Sequence, residues 1–531
     1  MTQREVYLKP NVLAEPLICQ WYAWSGLIPP ATAAMYLVNS HLNMMQSFVT
    51  NPQVHIAALK KPEMLSGPFI HYGEGRVSEI RDLLNETRRD RALLIDFGHA
   101  IKQLAKLLEN EADGRSTEPL YPKIPTVLKG YVELVYDLNN NPLPRFIEGL
   151  LYNSPYYDKA MQSLALSLID NDDRLFAFNT PRLKRQGQLQ LTIPFEDYRL
   201  DELFKMRSRP RPLEEIAEML DVIEEDRELF GSLFTENAAR AAAPYSGDSV
   251  RVRYFGHACL LIESREVSIL CDPLISYEYE GQVGRYTYCD LPDKLDYVLI
   301  THQHQDHLMF ETLLQLRHKI KNVIVPKSSG ANLADPSLRS ILQMIGFQKV
   351  SEIHELESVL IDDGAITGIP FLGEHADLHI SAKTAYQIDL KGRRILCLAD
   401  SNNIEPRLYD HLADPSKEVD LLFIGMECDG APLTWVYGPL LTKLLPRKMD
   451  QSRRLNGSDC EKVMQVVERL RAKQAYVYAM GQEPWLKFIT GVQYTDQSRP
   501  IIESDKLVKS CLSKGIVSDR LFGRREIHLT P

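Results

Sequence analysis

The sequence predicts an α/β protein in two parts. A mixed α+β domain spans residues 1–245, and a layered domain of helix-covered sheets spans residues 246–531. Three observations predict this. The 531 residues exceed what a single hydrophobic core usually organises. Glu236 to Asp248, reading ENAARAAAPYSGD, is small, polar and turn-prone, and it separates stretches of different rhythm. After it, the apolar runs VRVRYFG, SILCD, YVLITH, NVIVP and LLFIGM alternate with helical stretches such as ETLLQLRHKI and CEKVMQVVERLRAK. Buried strands under amphipathic helices produce that alternation.

In the first part, Trp21, Trp24 and the pair Pro29 and Pro30 are read as core packing. Ser78 to Glu111 carries apolar residues at Ile80, Leu83, Leu84, Leu93, Leu94, Ile101, Leu104, Leu107 and Leu108, which predicts a long helix. The runs YVELVYDL and LPRFIEGLL flank a turn at Asn139 to Pro142 and predict a β-hairpin. In the second part, AYQIDL and RILCLAD, separated by Lys391, Gly392 and Arg393, predict another.

Composition narrows the function. Hydrophobic residues make up 44% and charged residues 25%, and no stretch approaches the roughly 20 apolar residues of a membrane span. Met1 to Pro10 lacks the apolar core of a secretion signal, so the expected location is the cytoplasm. The eight cysteines form no Cys-x-x-Cys pair, which predicts reduced thiols and no zinc ribbon or iron–sulfur cluster. A net charge of −10 disfavours nucleic acid as the main partner.

The chemically informative string runs from Tyr297 to His307, an apolar strand leading straight into His-x-His-x-Asp-His. A buried strand is a rigid support, and the turn after it lets His302 and His304 reach one metal while Asp306 and His307 reach a second. Four metal-competent side chains within six residues are not explained by packing, since buried imidazoles and carboxylates each need a polar partner.

This motif and the strand-rich stretch before it resemble the metallo-β-lactamase superfamily, roughly from Val250 to the C-terminus. The resemblance implies an αββα sandwich with a dinuclear metal site at one sheet edge. It also implies a further ligand later in the chain, an Asp bridging both metals, and often a final His. Asp400, at the end of the apolar strand Arg394 to Ala399, takes the bridging place. Glu374 and His375 compete for the further ligand; adjacent side chains of an extended segment face opposite ways, so only one should bind. The final His is missing, because after His411 the only histidine is His528 and the stretch Ala475 to Pro484 has none. With Glu374 the set is three His and three carboxylates, near that of diiron oxygenases; with His375 it is four His and two carboxylates, closer to a hydrolase.

The chain's length, its mixed N-terminal domain, and the string FLGEHADL followed by LCLADSN resemble a narrower family, the diiron β-hydroxylases of the chloramphenicol-biosynthesis type. That resemblance implies a non-heme diiron cluster with His302, His304 and Glu374 on one iron, Asp306 and His307 on the other, and Asp400 bridging. It implies a dioxygen-dependent monooxygenase fed by external electrons, with Glu374 and Asp400 as the catalytic carboxylates. The implied substrate is an aminoacyl thioester on the carrier domain of a nonribosomal peptide synthetase, hydroxylated at its β-carbon. A homodimer through the N-terminal half is implied too. The runner-up is a dinuclear zinc or manganese hydrolase of a phosphoester, thioester or lactone; a metal-stabilised docking protein is a third reading.

Other residues have two readings each. His257 either supports the site or packs the core; Asp272 either orients a ligand histidine or caps a turn. Glu427 and Asp429 follow a strand and are candidates for the second iron or a substrate channel. The basic stretches Arg182 to Arg185 and Lys205 to Arg211 are either solvated surface or the place where an acidic carrier docks.

Overall fold

The computed structural model describes residues 5–330, 332–414, 416–491 and 493–530. From Val250 onward two seven-stranded sheets stack face to face. In spatial order the first contains Val350–Ile353, Ile320–Pro326, Leu295–Leu299, Ser268–Cys271, Cys259–Glu263, Val250–Gly256 and Arg525–Leu529. The second contains Ser358–Ile361, Gly364–Ile369, Ala385–Leu390, Arg393–Cys397, Leu421–Gly425, Gln474–Tyr478 and Val517–Arg520. Between them Val252, Leu260, Ile262 and Leu299 pack against Ile366, Ile388, Ile395 and Phe423. The Tyr386 hydroxyl crosses this interior to donate to the Ile300 carbonyl at 2.9 Å. Helices Phe310–Leu316 and Leu338–Met344 cover the outer face of the first sheet, and Cys460–Arg469 and Arg499–Ser513 that of the second. The result is an αββα sandwich. Strands covered on both faces read as unbroken apolar runs, which is why the sequence signal was continuous rather than alternating.

The N-terminal residues build a four-stranded antiparallel sheet in the order Trp21–Tyr22, Val12–Ile18, Gln162–Leu168 and Gln188–Thr192. Leu13, Tyr22, Ile28 and Phe195 share one hydrophobic core with Leu313, Leu314 and Leu338 of the sandwich's helical layer. The hairpin about Asn139 forms, Val132–Tyr136 pairing with Pro142–Phe146.

Three expectations are corrected. The single long helix is two, Val77–Asp90 and Ala92–Glu111, separated at Arg91, whose buried guanidinium pairs with Asp158 at 3.1 Å. The turn at Lys391 has two residues, not three: Lys391 and Gly392 take φ of 49° and 78°, and Arg393 already pairs with Leu390. Such paired positive φ values match the twist of the flanking strands. Each basic stretch contains one interior pin, Arg182 and Arg207. Arg182 binds Glu15 and the carbonyls of Leu175, Phe176 and Thr180. Arg207 donates to the carbonyls of Lys9 and Val12 and to Gln315 Oε1, while Arg211 pairs with Glu202 and Glu215. Lys184, Arg185 and Arg209 are the exposed remainder.

The two parts of the chain are also joined by buried charge. Glu311, on the helix that follows the metal motif, accepts from Arg174 at 2.7 Å, from Tyr22 at 2.9 Å and from Tyr277 at 2.9 Å. Arg174 also donates to Glu15 at 2.9 Å and lies 3.4 Å above the Phe488 ring. Glu15, Glu311 and Arg174 are all more than nine-tenths buried. Breaking such a set by removing one partner strands the others in low dielectric. Arg174→Met is therefore expected to cost about 3–5 kcal/mol of stability, read as a shift of the denaturant midpoint; a loss below about 1 kcal/mol would refute the role assigned to the network.

Burial works to raise the Glu15 carboxyl, but Arg182 and Arg174 outweigh it and hold it at about 2 instead of 4.5. A depressed folded-state pKa contributes stability that is fully present above the unfolded value and is lost as pH falls through the folded one. Acid unfolding should thus include a component between about pH 4.5 and 2 that Glu15→Gln lacks. Parallel acid titrations of the two proteins by circular dichroism check this.

Candidate metal centre

The site lies where the strands of both sheets end. Five residues that follow or lie near these ends take left-handed backbone without being glycine: His257 (φ 51°), Asp272 (38°), Glu374 (65°), Ala399 (45°) and Ala479 (54°). Each costs on the order of 1 kcal/mol, and such strain concentrates where side chains must be aimed. Two glycines let the backbone close around them. A Cβ on Gly425 would lie 2.7 Å from Asp400 Oδ1, and one on Gly373, itself at φ 70°, would lie 2.5 Å from Asn402 Cβ.

Each motif histidine has one ring nitrogen held by the protein and the other turned inward. The Thr301 hydroxyl donates to Asp272 Oδ2 at 2.7 Å, so at 3.0 Å it accepts from His302 Nδ1–H and leaves His302 Nε2 free. His307 Nδ1 donates to Asp272 Oδ2 at 2.8 Å, and its Nε2 lies 3.1 Å from Asp400 Oδ2. His304 Nε2 pairs with the Tyr437 hydroxyl at 2.9 Å, and its Nδ1 lies 2.7 Å from Glu374 Oε1. Asp272 thus does orient histidines, and Tyr437 is a partner that the sequence did not reveal. Fixing the remote nitrogen selects the tautomer and sharpens the aim of the other.

Three sets of donor atoms lie within 4.8 Å of one another: His302, His304 and Glu374; His302, His307 and Asp400; and His257, Asp306 and His307. All six residues singled out in the sequence are therefore brought together, and His257 joins them. His375 is in none of these sets, yet it does not point away. The backbone at Glu374 is left-handed rather than extended, so the expectation of opposite-facing neighbours fails. His375 Nδ1 lies 2.5 Å from Glu374 Oε2, and its ring stacks 4.6 Å from that of His304. His528 is exposed and paired with Glu526.

The donor set fits metal cations. His302 Nε2 and Asp400 Oδ1 are buried with no hydrogen-bond partner, an arrangement that is costly unless something positive satisfies it. Burial pulls His302 well below the usual histidine range, and the neighbouring His307 charge adds to this, so its lone pair is available for a metal. Burial would raise Glu374, but the His304 and His375 charges outweigh it and keep the carboxyl ionised. Glu427 behaves oppositely: burial, then Asp400 and Asp429, push its carboxyl up to about 8.

His257, His304, Asp306, Glu374, Asp400 and Glu427 line a cleft of about 430 Å³. A second cavity of about 650 Å³ adjoins it, lined by aromatic residues of the N-terminal part, among them Trp21, Tyr22, Trp24, Tyr36 and Phe178. The two share Ser66, Gly67, Gln305, Pro432 and Trp435. Trp21 and Trp24, read from sequence as packing, are buried and also form this wall.

Comparison with known proteins matches residues 7–238 to the diiron non-heme β-hydroxylase N-terminal domain and residues 251–434 to the β-lactamase superfamily domain. The chain is 39% identical over 529 residues to a hydroxylase of Streptomyces venezuelae named for position 3 of a 4-amino-L-phenylalanyl group on the CmlP peptidyl carrier protein. That alignment covers 98% of this chain and 99% of that protein. The crystal structure of CmlA, a diiron β-hydroxylase from the same species, superposes with a TM-score of 0.92 at 37% identity, over 99% of this chain and 100% of that one. A metal-dependent hydrolase of Christiangramia forsetii is 27% identical over 157 residues, which is 27% of this chain and 66% of that protein. With both parts matched and a relative aligned almost end to end, the chain belongs to the diiron non-heme β-hydroxylase family.

Proposed function

We propose that this protein hydroxylates the β-carbon of an aminoacyl group held as a thioester on the carrier domain of a nonribosomal peptide synthetase, using two irons and dioxygen. The observation that carries the reading is the end-to-end kinship with a carrier-dependent aminoacyl 3-hydroxylase. Three carboxylates, Asp306, Glu374 and Asp400, among the clustered donors suit iron and support it. The hydrolase reading is less supported, since a hydrolase relative spans only 27% of the chain.

His302, His304 and Glu374 would hold one iron, Asp306 and His307 the other, and Asp400 both. When bound, the pair supplies dioxygen activation; the protein supplies orientation and exclusion of water. Overall, a C–H bond, dioxygen, two electrons from an external reductant and two protons give a C–OH bond and water. Asp272, Thr301 and Tyr437 keep the donors aimed. The two adjoining cavities suit this substrate, because a β-carbon lies between its side chain and its thioester carbonyl and needs room in two directions. Among the described residues no helix is long and apolar enough to cross a membrane. Action in the cytoplasm as a homodimer belongs to the same proposal.

Two outcomes are expected. Reduced enzyme with dioxygen should hydroxylate an aminoacyl-loaded carrier domain, detected as one added oxygen by mass spectrometry, while the free amino acid turns over at least tenfold more slowly; equal turnover of both would remove the tethering claim. Glu374→Ala should lose iron or abolish turnover, whereas His375→Ala should keep both irons and their near-ultraviolet absorption. The reverse pattern would transfer the ligand role to His375.

A further inference from the structure

The rim of the two cavities carries charge for which the metal centre has no use. Trp435 and Ser66 line both cavities, and the Trp435 indole donates to the Ser66 carbonyl at 3.2 Å. Beside Trp435, the Thr434 backbone N–H and hydroxyl each donate to Asp450 at 2.9 Å, which fastens the helix Arg447–Ser452 next to this partition. From Leu441 to Arg454 the chain holds five cations, Lys443, Arg447, Lys448, Arg453 and Arg454, against one acid, Asp450, which Thr434 already occupies. Three of the cations are engaged. Lys443 pairs with Glu109 at 2.6 Å, Arg453 donates to the Ala376 carbonyl and Arg454 to Gln451. Arg447 and Lys448 are exposed and have no ion-pair or hydrogen-bond partner among the described residues. Between and beside them Leu444 is 99% exposed and Met449 55%. On the Ser66 side, Lys60 and Lys61 are exposed and equally unpaired, and they stand just before Glu63, which lines the metal cleft.

Charge decides what such a rim fits. The chain as a whole carries −10, so four unpaired cations on the two segments that form one partition run against its general field. A bare leucine and methionine among them give the mixed apolar and charged character of a protein interface. A second copy of the chain fits poorly, because a two-fold contact sets the same patch against itself, cation against cation. The complementary partner is an acidic domain. The two basic stretches of the N-terminal part are not equivalent places, since Arg182 and Arg207 are turned inward.

We propose that an acidic carrier domain docks on Arg447, Lys448, Leu444 and Met449, with Lys60 and Lys61 receiving it on the Ser66 side, so that its tethered group enters past the Ser66–Trp435 partition. This rests on the reading that the substrate is borne by a carrier. Charges at an interface rim act mainly on encounter and are screened by salt beyond about 8–10 Å, so the docking should weaken as salt is added.

The test uses the full-length, iron-loaded enzyme and an aminoacyl-loaded carrier domain that the wild type hydroxylates, with affinity read by fluorescence anisotropy of the labelled carrier. Reversing Arg447→Glu and Lys448→Glu together should weaken binding at least tenfold, raise KM for the carrier in proportion and flatten the salt dependence. Lys60→Glu with Lys61→Glu should act in the same direction. Lys184→Glu with Arg209→Glu, a reversal of equal charge on exposed residues elsewhere, should bind as wild type does. Circular dichroism melts and iron content matching wild type verify that each variant is folded and loaded. If the Arg447 and Lys448 reversal binds the carrier with wild-type affinity and salt dependence, the assignment is wrong. Intact carrier affinity with altered sedimentation of the free enzyme would give the patch to a second copy instead. A wild type that turns over the free amino acid as fast as any loaded carrier would refute the carrier reading itself, and the docking surface with it.

Discussion

Everything at the open end of the sandwich depends on one electrostatic constraint. Four imidazoles and three carboxylates converge in a space of a few ångströms, and several of their atoms have no partner within the protein. Such a group is stable only around compensating positive charge. The outer contacts make the convergence possible: Asp272 secures His307 and, through Thr301, His302, while Tyr437 secures His304. Metal binding and local stability are therefore coupled, since donors preorganised at a backbone cost give back that strain only when they share an ion.

The same constraint explains why the N-terminal part belongs to the site. Glu311 lies four residues beyond His307, at the start of the helix that carries the motif's turn into the core, and its carboxylate is held by Arg174 and Tyr22 from the N-terminal part. With Glu15 and Arg182 the network is fully buried, and the hydrophobic core around it runs without interruption from Leu13 and Tyr22 to Leu313 and Leu338. A rigid anchor immediately behind the ligands limits how far the motif's turn can relax.

Legibility in the sequence followed distance along the chain. His302, His304, Asp306 and His307 share a single turn after a single strand, so spacing alone placed them together, and the continuous apolar runs correctly announced strands covered on both faces. Glu374 and His375 were harder because the alternation of side chains holds only for extended backbone, and φ of 65° at Glu374 turns both side chains toward the cluster. Arg182 and Arg207 looked like surface because their partners are remote: Glu15 is 167 residues from the first and Gln315 is 108 from the second. Arg91 splits a helix that periodicity read as continuous, and its buried guanidinium turns to Asp158, a partner 67 residues away. His257 offered two readings that sequence left open, and Tyr437 carries no local signal at all. They matter only because two sheets and a loop bring them to the same corner.

The wall between the two cavities is built by both parts of the chain. Trp435 donates its indole N–H to the Ser66 carbonyl at 3.2 Å, a contact spanning 369 residues of sequence. Both residues line both cavities, beside Gln305, which separates His304 from Asp306. A group entering from the aromatic side therefore meets a partition made jointly by the two parts of the chain, one residue away from the donors. A movement of the Ser66 segment would alter the shape of the metal cleft without touching a ligand. A molecule filling the aromatic cavity would thus press on residues that also wall the metal cleft.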